Sequence, residues 1–231
     1  MDIKAISFDL DGPLVYMSIS VEQYLSNIYE KLGFHFGLEQ VSAVYKEVHR
    51  WWKERFLSGQ PRTHEAWIEY NCRLLEGLGA KGDLQGLSER VLPFWENYPE
   101  SGNEKLYPEV KGVLRKLREK EISLAIVSQR PLPFSLKSLR KHGIKEYFKC
   151  MVSPEIAKAP KGKLSPEMWQ FALRKLGVAP AEVLHVDDNH EWISGAKQAG
   201  IQPVLIYRKG TQSSTFDCVV IHDLTEIFEL L

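Results

Sequence analysis

The spacing of hydrophobic residues divides this chain into two regions. Residues 21 to 98 carry apolar side chains at intervals of three and four, the spacing that gathers them on one face of an α-helix. From Leu106 onward, amphipathic helical segments alternate with short apolar runs of the kind that form β-strands. The pattern predicts an all-helical block of about 80 residues, followed by alternating helices and strands ending in a helix over LTEIFELL.

The predicted strands are short and largely apolar, as strands covered on both faces usually are. They are KAISFD (4–9), SLAIVS (123–128), KCMVS (149–153), EVLHVD (182–187), QPVLIY (202–207) and CVVIHD (218–223). Their alternation with helices predicts the α/β class, a Rossmann-like parallel sheet with helices on both faces. The first strand stands apart from the others, so the helical block is interpreted as an insertion. We predict a core domain from residues 1–15 and 100–231 and an inserted helical domain over 16–99.

Composition narrows the choice of partner. The 231 residues include 30 basic and 30 acidic side chains and give a pI near 7.1, which argues against bulk attraction to nucleic acid or to membranes. The three cysteines are widely spaced and favour free thiols in a reducing compartment. The first residues do not resemble a signal peptide, and no apolar run reaches membrane-spanning length. We expect a cytoplasmic protein with a small-molecule partner, no nucleic acid and no membrane, as a monomer or homodimer.

Polar residues stand where three of the predicted strands end. Asp9 and Asp11 close the first strand, Ser128 ends the second, and Asp187 and Asp188 follow the strand at 182–187. The lysine-rich loop KAPKGKLSPEMW lies between the last two of these positions. Ligands of open parallel sheets bind at the carboxyl ends of the strands. We therefore expect these carboxylates, the hydroxyl and a lysine to meet at one edge of the sheet.

Four motifs in this order resemble the haloacid dehalogenase (HAD) superfamily, in its phosphatase branch with a helical cap inserted after the first strand. FDLDG is similar to the nucleophile motif, IVSQR to the Ser/Thr motif, GKLSPEMW to the lysine motif and VLHVDDN to the acidic fourth motif. The resemblance covers about 150 residues on both sides of the helical block. A preceding strand, together with the absence of a third Asp and of a Glu at the twelfth position, argues against reading DxDG as a calcium loop.

The resemblance implies roles for the first two aspartates. Asp9 would attack phosphorus and form an aspartyl phosphate, and Asp11 would protonate the leaving oxygen and later activate water. Haloacid dehalogenases attack carbon and usually lack an acid at the second position, so Asp11 favours phosphoryl transfer. The alternative for both residues is a turn closed by Asx hydrogen bonds.

The resemblance also implies a bound Mg²⁺, which reduces the repulsion between an anionic nucleophile and a phosphate. Asp9 and Asp187 would be carboxylate ligands, Asp11 would offer its main-chain carbonyl, and Asp188 would support the ion directly or through water. The alternative for Asp187 is a turn at the end of the strand, before the N-cap of the next helix.

The phosphoryl group would be bound by Ser128, Gln129 and Lys163. The hydroxyl of Ser128 would donate to its oxygens, and Lys163 would bridge Asp9 and the phosphate. Lys158 and Lys161 are competing candidates for that lysine, and Arg130 is a further candidate near the phosphate.

Several positions depart from the family pattern. Pro13 replaces a usual Thr, Gln129 a usual Asn, Leu164 a usual Pro, and Trp192 a frequent Asn or Asp. None of them removes a charge that the reaction needs.

The predicted cap is rich in aromatic and basic residues. Most of the aromatic side chains are expected in its core: Trp51, Trp52, Phe56, Trp67, Tyr70 and Trp95. Some of the basic side chains are candidates for contacts with the substrate: His49, Arg50, Lys53, Arg55, Arg62 and His64.

The sequence thus predicts a Mg²⁺-dependent phosphatase that hydrolyses a small phosphomonoester through an aspartyl-phosphate intermediate. Two alternatives share the motifs. One is a phosphomutase of the same family, and the other is a non-catalytic HAD-like binding or regulatory protein.

Overall fold

A computed structural model describes residues 2–208 and 216–231. The chain forms two compact units, one from Met1–Tyr16 and Lys105–Leu231 and the other from Met17–Glu104. The predicted roles of the two regions, as a catalytic core domain and a cap domain, stay predictions.

The strands of the described residues follow the apolar runs of the sequence. In chain order they are β1 (Ala5–Phe8), β2 (Val15–Met17), β3 (Glu104–Leu106), β4 (Ser123–Val127), β5 (Cys150–Val152), β6 (Val183–Asp187), β7 (Gln202–Ile206) and β8 (Val219–Ile221). Six of them form one sheet in the order β5-β4-β1-β6-β7-β8, in which every neighbouring pair is parallel. The predicted parallel α/β sheet is therefore confirmed.

The α-helices of the described residues occupy both regions. They are α1 (Val21–Lys31), α2 (Leu38–Leu57), α3 (His64–Gly77), α4 (Leu84–Glu96), α5 (Val110–Glu119), α6 (Leu132–Lys141), α7 (Pro154–Ala157), α8 (Pro166–Leu176) and α9 (His190–Gln198). No described helix is both long enough and apolar enough to cross a membrane.

Two hydrophobic clusters cover the faces of the main sheet. In β1, Ile6 and Phe8 belong to one cluster, with side chains of α5, and Ala5 belongs to the other, with Trp169 of α8. This alternation follows from the strand period of two. Helices on both faces leave the sheet's ends as the accessible positions for polar chemistry.

The unit over Met17–Glu104 contains four helices with local caps. The side chains of Ser20, Thr63 and Asp83 accept hydrogen bonds from backbone amides in the first turns of α1, α3 and α4, at 3.1, 3.3 and 2.9 Å. Its hydrophobic core includes Trp52 and Tyr70, whose ring centroids are 5.2 Å apart. Trp52 and Tyr70 therefore fit the expectation that most aromatic residues of this region lie in a helical core.

Three features differ from the pattern predicted by the sequence. The short strands β2 and β3 pair in a second, two-stranded sheet, and each has only three residues, too few to show a period. Helix α7 is a single turn that begins at a proline. The last predicted helix is a 3₁₀ helix over Leu224–Leu230.

Candidate active site

The three strands that carry the predicted chemistry are consecutive in the sheet, in the order β4, β1, β6. Asp9 directly follows β1, and its amide donates to the carbonyl of Val186 at 2.9 Å. Asp187 is the last residue of β6, and Ser128 directly follows β4. All three residues are buried. Adjacent parallel strands therefore bring distant parts of the sequence to one edge of the sheet.

Lys163 joins the two buried aspartates. Its Nζ lies 2.9 Å from Oδ2 of Asp9 and 2.6 Å from Oδ2 of Asp187, and its side chain is fully buried. The competing residues Lys158 and Lys161 are exposed. A buried ammonium between two carboxylates offsets the cost of burying like charges beside each other.

The backbone of Lys163 is held by two neighbouring helices. It lies in a 3₁₀ turn over Gly162–Leu164, and its carbonyl accepts a hydrogen bond from Nε1 of Trp169 in α8 at 2.7 Å. Gly195 of α9 packs against the same carbonyl so closely that a Cβ there would lie 1.8 Å from the oxygen. The absence of a side chain at Gly195 thus permits the helix to pack against the lysine turn.

Asp187 has further partners that sequence reasoning did not identify. Its Oδ1 accepts from the amide of Asn189 at 2.9 Å, and its Oδ2 lies 3.2 Å from Nε2 of the buried His185. Nδ1 of that histidine lies 2.9 Å from Oγ of Ser7. A histidine and a serine inside otherwise apolar strands are the sequence signal that could have found this chain of polar contacts.

Asp11 occupies a different environment from Asp9. Its carboxylate is half exposed and forms an ion pair with Arg130, whose Nε lies 3.1 Å from Oδ2. The amide of Arg130 also donates to Oγ of Ser128 at 3.2 Å. Arg130, placed near the phosphate by the sequence, therefore contacts the predicted acid.

Gly12 brings the loop after β1 against Asp188. Its φ of +87° lies in the region that favours glycine, and a Cβ there would meet Cγ of Asp188 at 2.2 Å. A side chain at position 12 would displace the second aspartate of the fourth motif.

Three carboxylates form a group that fits a hard divalent cation. One oxygen from each of Asp9, Asp187 and Asp188 lies within 4.8 Å of the other two. Oxygen donors of this kind suit Mg²⁺. The carboxylate of Asp11 is outside this group, and the prediction for Asp11 concerned its main-chain carbonyl. The donor set fits the predicted ion.

The protonation equilibria reflect this crowding. Burial, opposed by Lys163 and reinforced by Asp187, raises the pKa of Asp9 to about 6. Loss of hydration and then the charges of Asp9 and Asp187 raise the pKa of Asp188 to about 7, although this side chain retains solvent contact. Burial alone would raise the pKa of Asp187, but Lys163 and His185 outweigh it and lower that pKa to about 2. At neutral pH the single positive charge of Lys163 therefore does not balance the negative charges of the three carboxylates.

The remaining predicted residues lie around these groups. Gln129 is half-buried and packs so closely on Gly162 that a Cβ there would lie 1.9 Å from Oε1. Pro13 is buried, and Leu164 and Trp192 are half-buried. The catalytic, phosphate-binding and metal-binding roles of the predicted site residues stay predictions.

A family model described as haloacid dehalogenase-like hydrolase matches residues 3–200. The chain belongs to this family. The match covers both sides of the helical region and all four motifs. It confirms the predicted family and the prediction that the protein is a hydrolase.

Curated relatives of this HAD-like hydrolase share most of their length with it. A phosphoglycolate phosphatase from Vibrio parahaemolyticus is 30% identical over 204 residues, covering 86% of this chain and 81% of the relative. A phosphorylated carbohydrates phosphatase from Thermotoga maritima is 26% identical over 207 residues, covering 87% and 84%. These relatives support the predicted class, a phosphoric monoester hydrolase.

A solved structure shares the fold. The HAD-hydrolase YfnB from Bacillus subtilis aligns with a TM-score of 0.78 at 19% identity, over 100% of this chain and 99% of that one. At this identity the likeness shows the fold alone.

Proposed function

We propose that this HAD-like hydrolase is a Mg²⁺-dependent phosphatase that acts on a small phosphomonoester through an aspartyl phosphate on Asp9. The contact of Lys163 with both Asp9 and Asp187 carries the proposal. A buried lysine that spans two carboxylates keeps the nucleophile ionised and leaves a positive charge beside the attacked phosphoryl group.

Asp9 is the nucleophile in this proposal. One of its oxygens forms a bond to phosphorus as the bond from phosphorus to the leaving oxygen breaks. The hydrogen bond from its backbone amide to the carbonyl of Val186 fixes the backbone of Asp9, and the contact with Lys163 fixes the carboxylate before substrate arrives. Water then attacks the phosphorus of the aspartyl phosphate, which releases inorganic phosphate and restores the carboxylate.

Asp11 is the general acid and base. It gives a proton to the leaving alkoxide in the first step and takes one from water in the second. Its half-exposed carboxylate and its pairing with Arg130 support this role, because the group contacts solvent and its position is defined by a bidentate partner.

Asp9, Asp187 and Asp188, with the carbonyl of Asp11, would hold Mg²⁺. When bound, the ion supplies positive charge that lowers the repulsion between Asp9 and the phosphate. Ser128 and Gln129 would bind the phosphoryl oxygens, Ser128 from its position next to Asp9 in the sheet and Gln129 from the following residue.

Relatives with broad coverage are named for phosphoglycolate, phosphorylated carbohydrates and pyrophosphate, which supports a small phosphorylated compound as the substrate. The half-exposed Asp11 and its largely buried partner Arg130 would border the phosphate position and meet the part of the substrate attached to phosphorus.

The test is release of inorganic phosphate from p-nitrophenyl phosphate and from a panel of phosphorylated metabolites, with Mg²⁺ and with a chelator. We expect turnover that needs the cation and that Asp9→Asn abolishes. Asp2→Asn, which changes an exposed carboxylate of the same unit, is the matched control and should turn over normally. Activity of Asp9→Asn equal to wild type would refute the proposal. An isomerised sugar phosphate without free phosphate would favour a phosphomutase.

A further inference from the structure

Arg208 lies outside the four motifs, yet it contacts the loop that carries the predicted acid. It follows β7, and its side chain is 11% exposed. Its Nε donates to the carbonyl of Gly12 at 3.1 Å and its Nη2 to the carbonyl of Pro13 at 2.7 Å. One guanidinium therefore binds the two carbonyls that come directly after Asp11.

The same guanidinium is itself fixed from two sides. Its Nη2 lies 2.7 Å from Oε1 of Glu109, which precedes α5, and its plane lies over the ring of Tyr107, with Cζ 3.6 Å from the centroid. An arginine that is both stacked and ion-paired loses little additional freedom when it binds a carbonyl. It is a rigid support for the loop.

The turn also has backbone hydrogen bonds of its own. Gly12 donates to the carbonyl of Val15 at 2.9 Å, and the amides of Leu14 and Val15 donate to the carbonyl of Leu10 at 3.3 and 3.0 Å. Pro13 has no amide hydrogen to donate. Pro13 also replaces a residue that usually brings a hydroxyl to this turn. The turn is therefore held by its internal hydrogen bonds and by Arg208, which binds the carbonyls of residues 12 and 13 from outside the turn.

We propose that Arg208 is a positioning residue, which fixes the turn after the nucleophile and thereby aims the carboxylate of Asp11 at the leaving oxygen. The inference rests on the proposed function of Asp11 as general acid. It assigns this part to a residue that follows β7 and lies outside the four motifs.

Leaving groups of different basicity test the catalytic consequence. A p-nitrophenolate ion leaves with little help from an acid, whereas an alkoxide needs a proton. In Arg208→Gln we expect kcat/KM, which reports the steps through departure of the leaving group, to fall by about ten- to a hundredfold for an alkyl phosphate and by less than about threefold for p-nitrophenyl phosphate. Arg208→Lys, which keeps the charge without the planar fork, should fall in between.

Arg118→Lys and Arg118→Gln are the matched controls, because Arg118 stacks on Tyr147 in the same unit with its Cζ 4.8 Å from the ring centroid. They should leave both rates unchanged. An equal loss on both substrates in Arg208→Gln, or no loss, would overturn the inference.

Amide hydrogen exchange provides a readout that needs no activity. In Arg208→Gln the amides of Gly12, Leu14 and Val15, which bond within the turn, should exchange about tenfold faster or more, while the Arg118 variants leave them unchanged. Unchanged exchange in Arg208→Gln overturns the inference, whatever the activity. An inactive wild-type enzyme would refute the proposed function instead, and the exchange result would still decide whether Arg208 holds the turn.

Discussion

The site contains two pairs of aspartates in contrasting surroundings. The inner pair, Asp9 and Asp187, is buried at the ends of adjacent strands and shares Lys163, whose side chain is 0% exposed. The outer pair, Asp11 and Asp188, lies on turns after those strands, and the side chain of Asp11 is 54% exposed. The inner carboxylates are therefore fixed by the sheet, whereas the outer carboxylates are fixed only by contacts of the loops. The inner pair should matter for both folding and chemistry, and the outer pair mainly for chemistry.

Removing the shared lysine should produce the largest effect. Lys163→Met leaves two buried carboxylates without their counter-ion, so the metal-free protein should lose about 3–5 kcal/mol in its free energy of unfolding. Phosphatase activity should fall by about 10³-fold. Urea unfolding in chelator and steady-state turnover measure the two effects.

Lys161→Met is the control for this prediction, because that lysine is exposed two residues away, and it should change stability by no more than about 0.5 kcal/mol. Equal stability of the two variants would contradict the view that the inner pair depends on Lys163.

Changing the predicted acid should separate chemistry from folding. Asp11→Asn should lower kcat for an alkyl phosphate by about 10²-fold or more, because proton donation to the alkoxide is lost. Its free energy of unfolding should change by less than about 1 kcal/mol, since the carboxylate is half exposed. A large loss of stability in denaturant titrations would place Asp11 with the inner pair.

A methyl group added at Gly195 should disturb Asp9 and Asp187 indirectly, by displacing Lys163. Gly195→Ala puts a Cβ against the carbonyl of Lys163 and should cost about 1–3 kcal/mol of stability through overpacking. A displaced Lys163 should also lower kcat by about tenfold. Gly112→Ala in α5 is the matched control, because a Cβ there meets no described atom within 4 Å and should be neutral or slightly stabilising. The opposite ranking in thermal melts would disprove the packing argument.

Binding of Mg²⁺ should depend on pH through both pairs. The pKa of Asp9 is raised to about 6 and that of Asp188 to about 7, so protons compete with the cation as the pH falls through this range. Affinity should weaken by about tenfold or more between pH 8 and pH 6, with proton release on binding. Titration calorimetry in two buffers of different ionisation enthalpy measures both, and a pH-independent affinity would argue against this cluster as the metal site.

The smallest expected effect is a gain in stability from the outer pair. The raised pKa of Asp188 means that the folded state binds more protons than the unfolded state between about pH 4 and 7. Ionised Asp188 therefore destabilises the metal-free protein above that range. Asp188→Asn should stabilise it by about 1 kcal/mol at pH 8, after allowance for solvent screening, and the gain should shrink toward pH 4. A constant gain across this range would exclude relief of charge as its cause.

The sequence was informative where local pattern determines structure. The six strands of the main sheet follow the predicted apolar runs, and the order of strands places Asp9, Ser128 and Asp187 on neighbours, as expected for chemistry at the carboxyl ends of a parallel sheet. Motif spacing favoured Lys163 over Lys158 and Lys161. Its burial could not be predicted, because burial depends on how the loop packs on α8 and α9.

Other contacts depend on neighbours that are distant in the sequence. His185 meets Ser7 across two strands, and Arg208 reaches a loop almost at the other end of the chain. His185 lies within VLHVDDN but is not one of its acidic residues, and Arg208 lies outside all four motifs. Such contacts become visible only when the sheet order and the side-chain directions are known.

The central position of β1 in the sheet has a consequence for synthesis. Asp9 is synthesised well before its partner Asp187, which belongs to β6, and β1 pairs with both β4 and β6. A nascent chain thus holds Asp9 without its neighbours until β6 has emerged. The complete set of carboxylates assembles only when β6 pairs with β1, so hydrolytic competence should arise in a single step at that point.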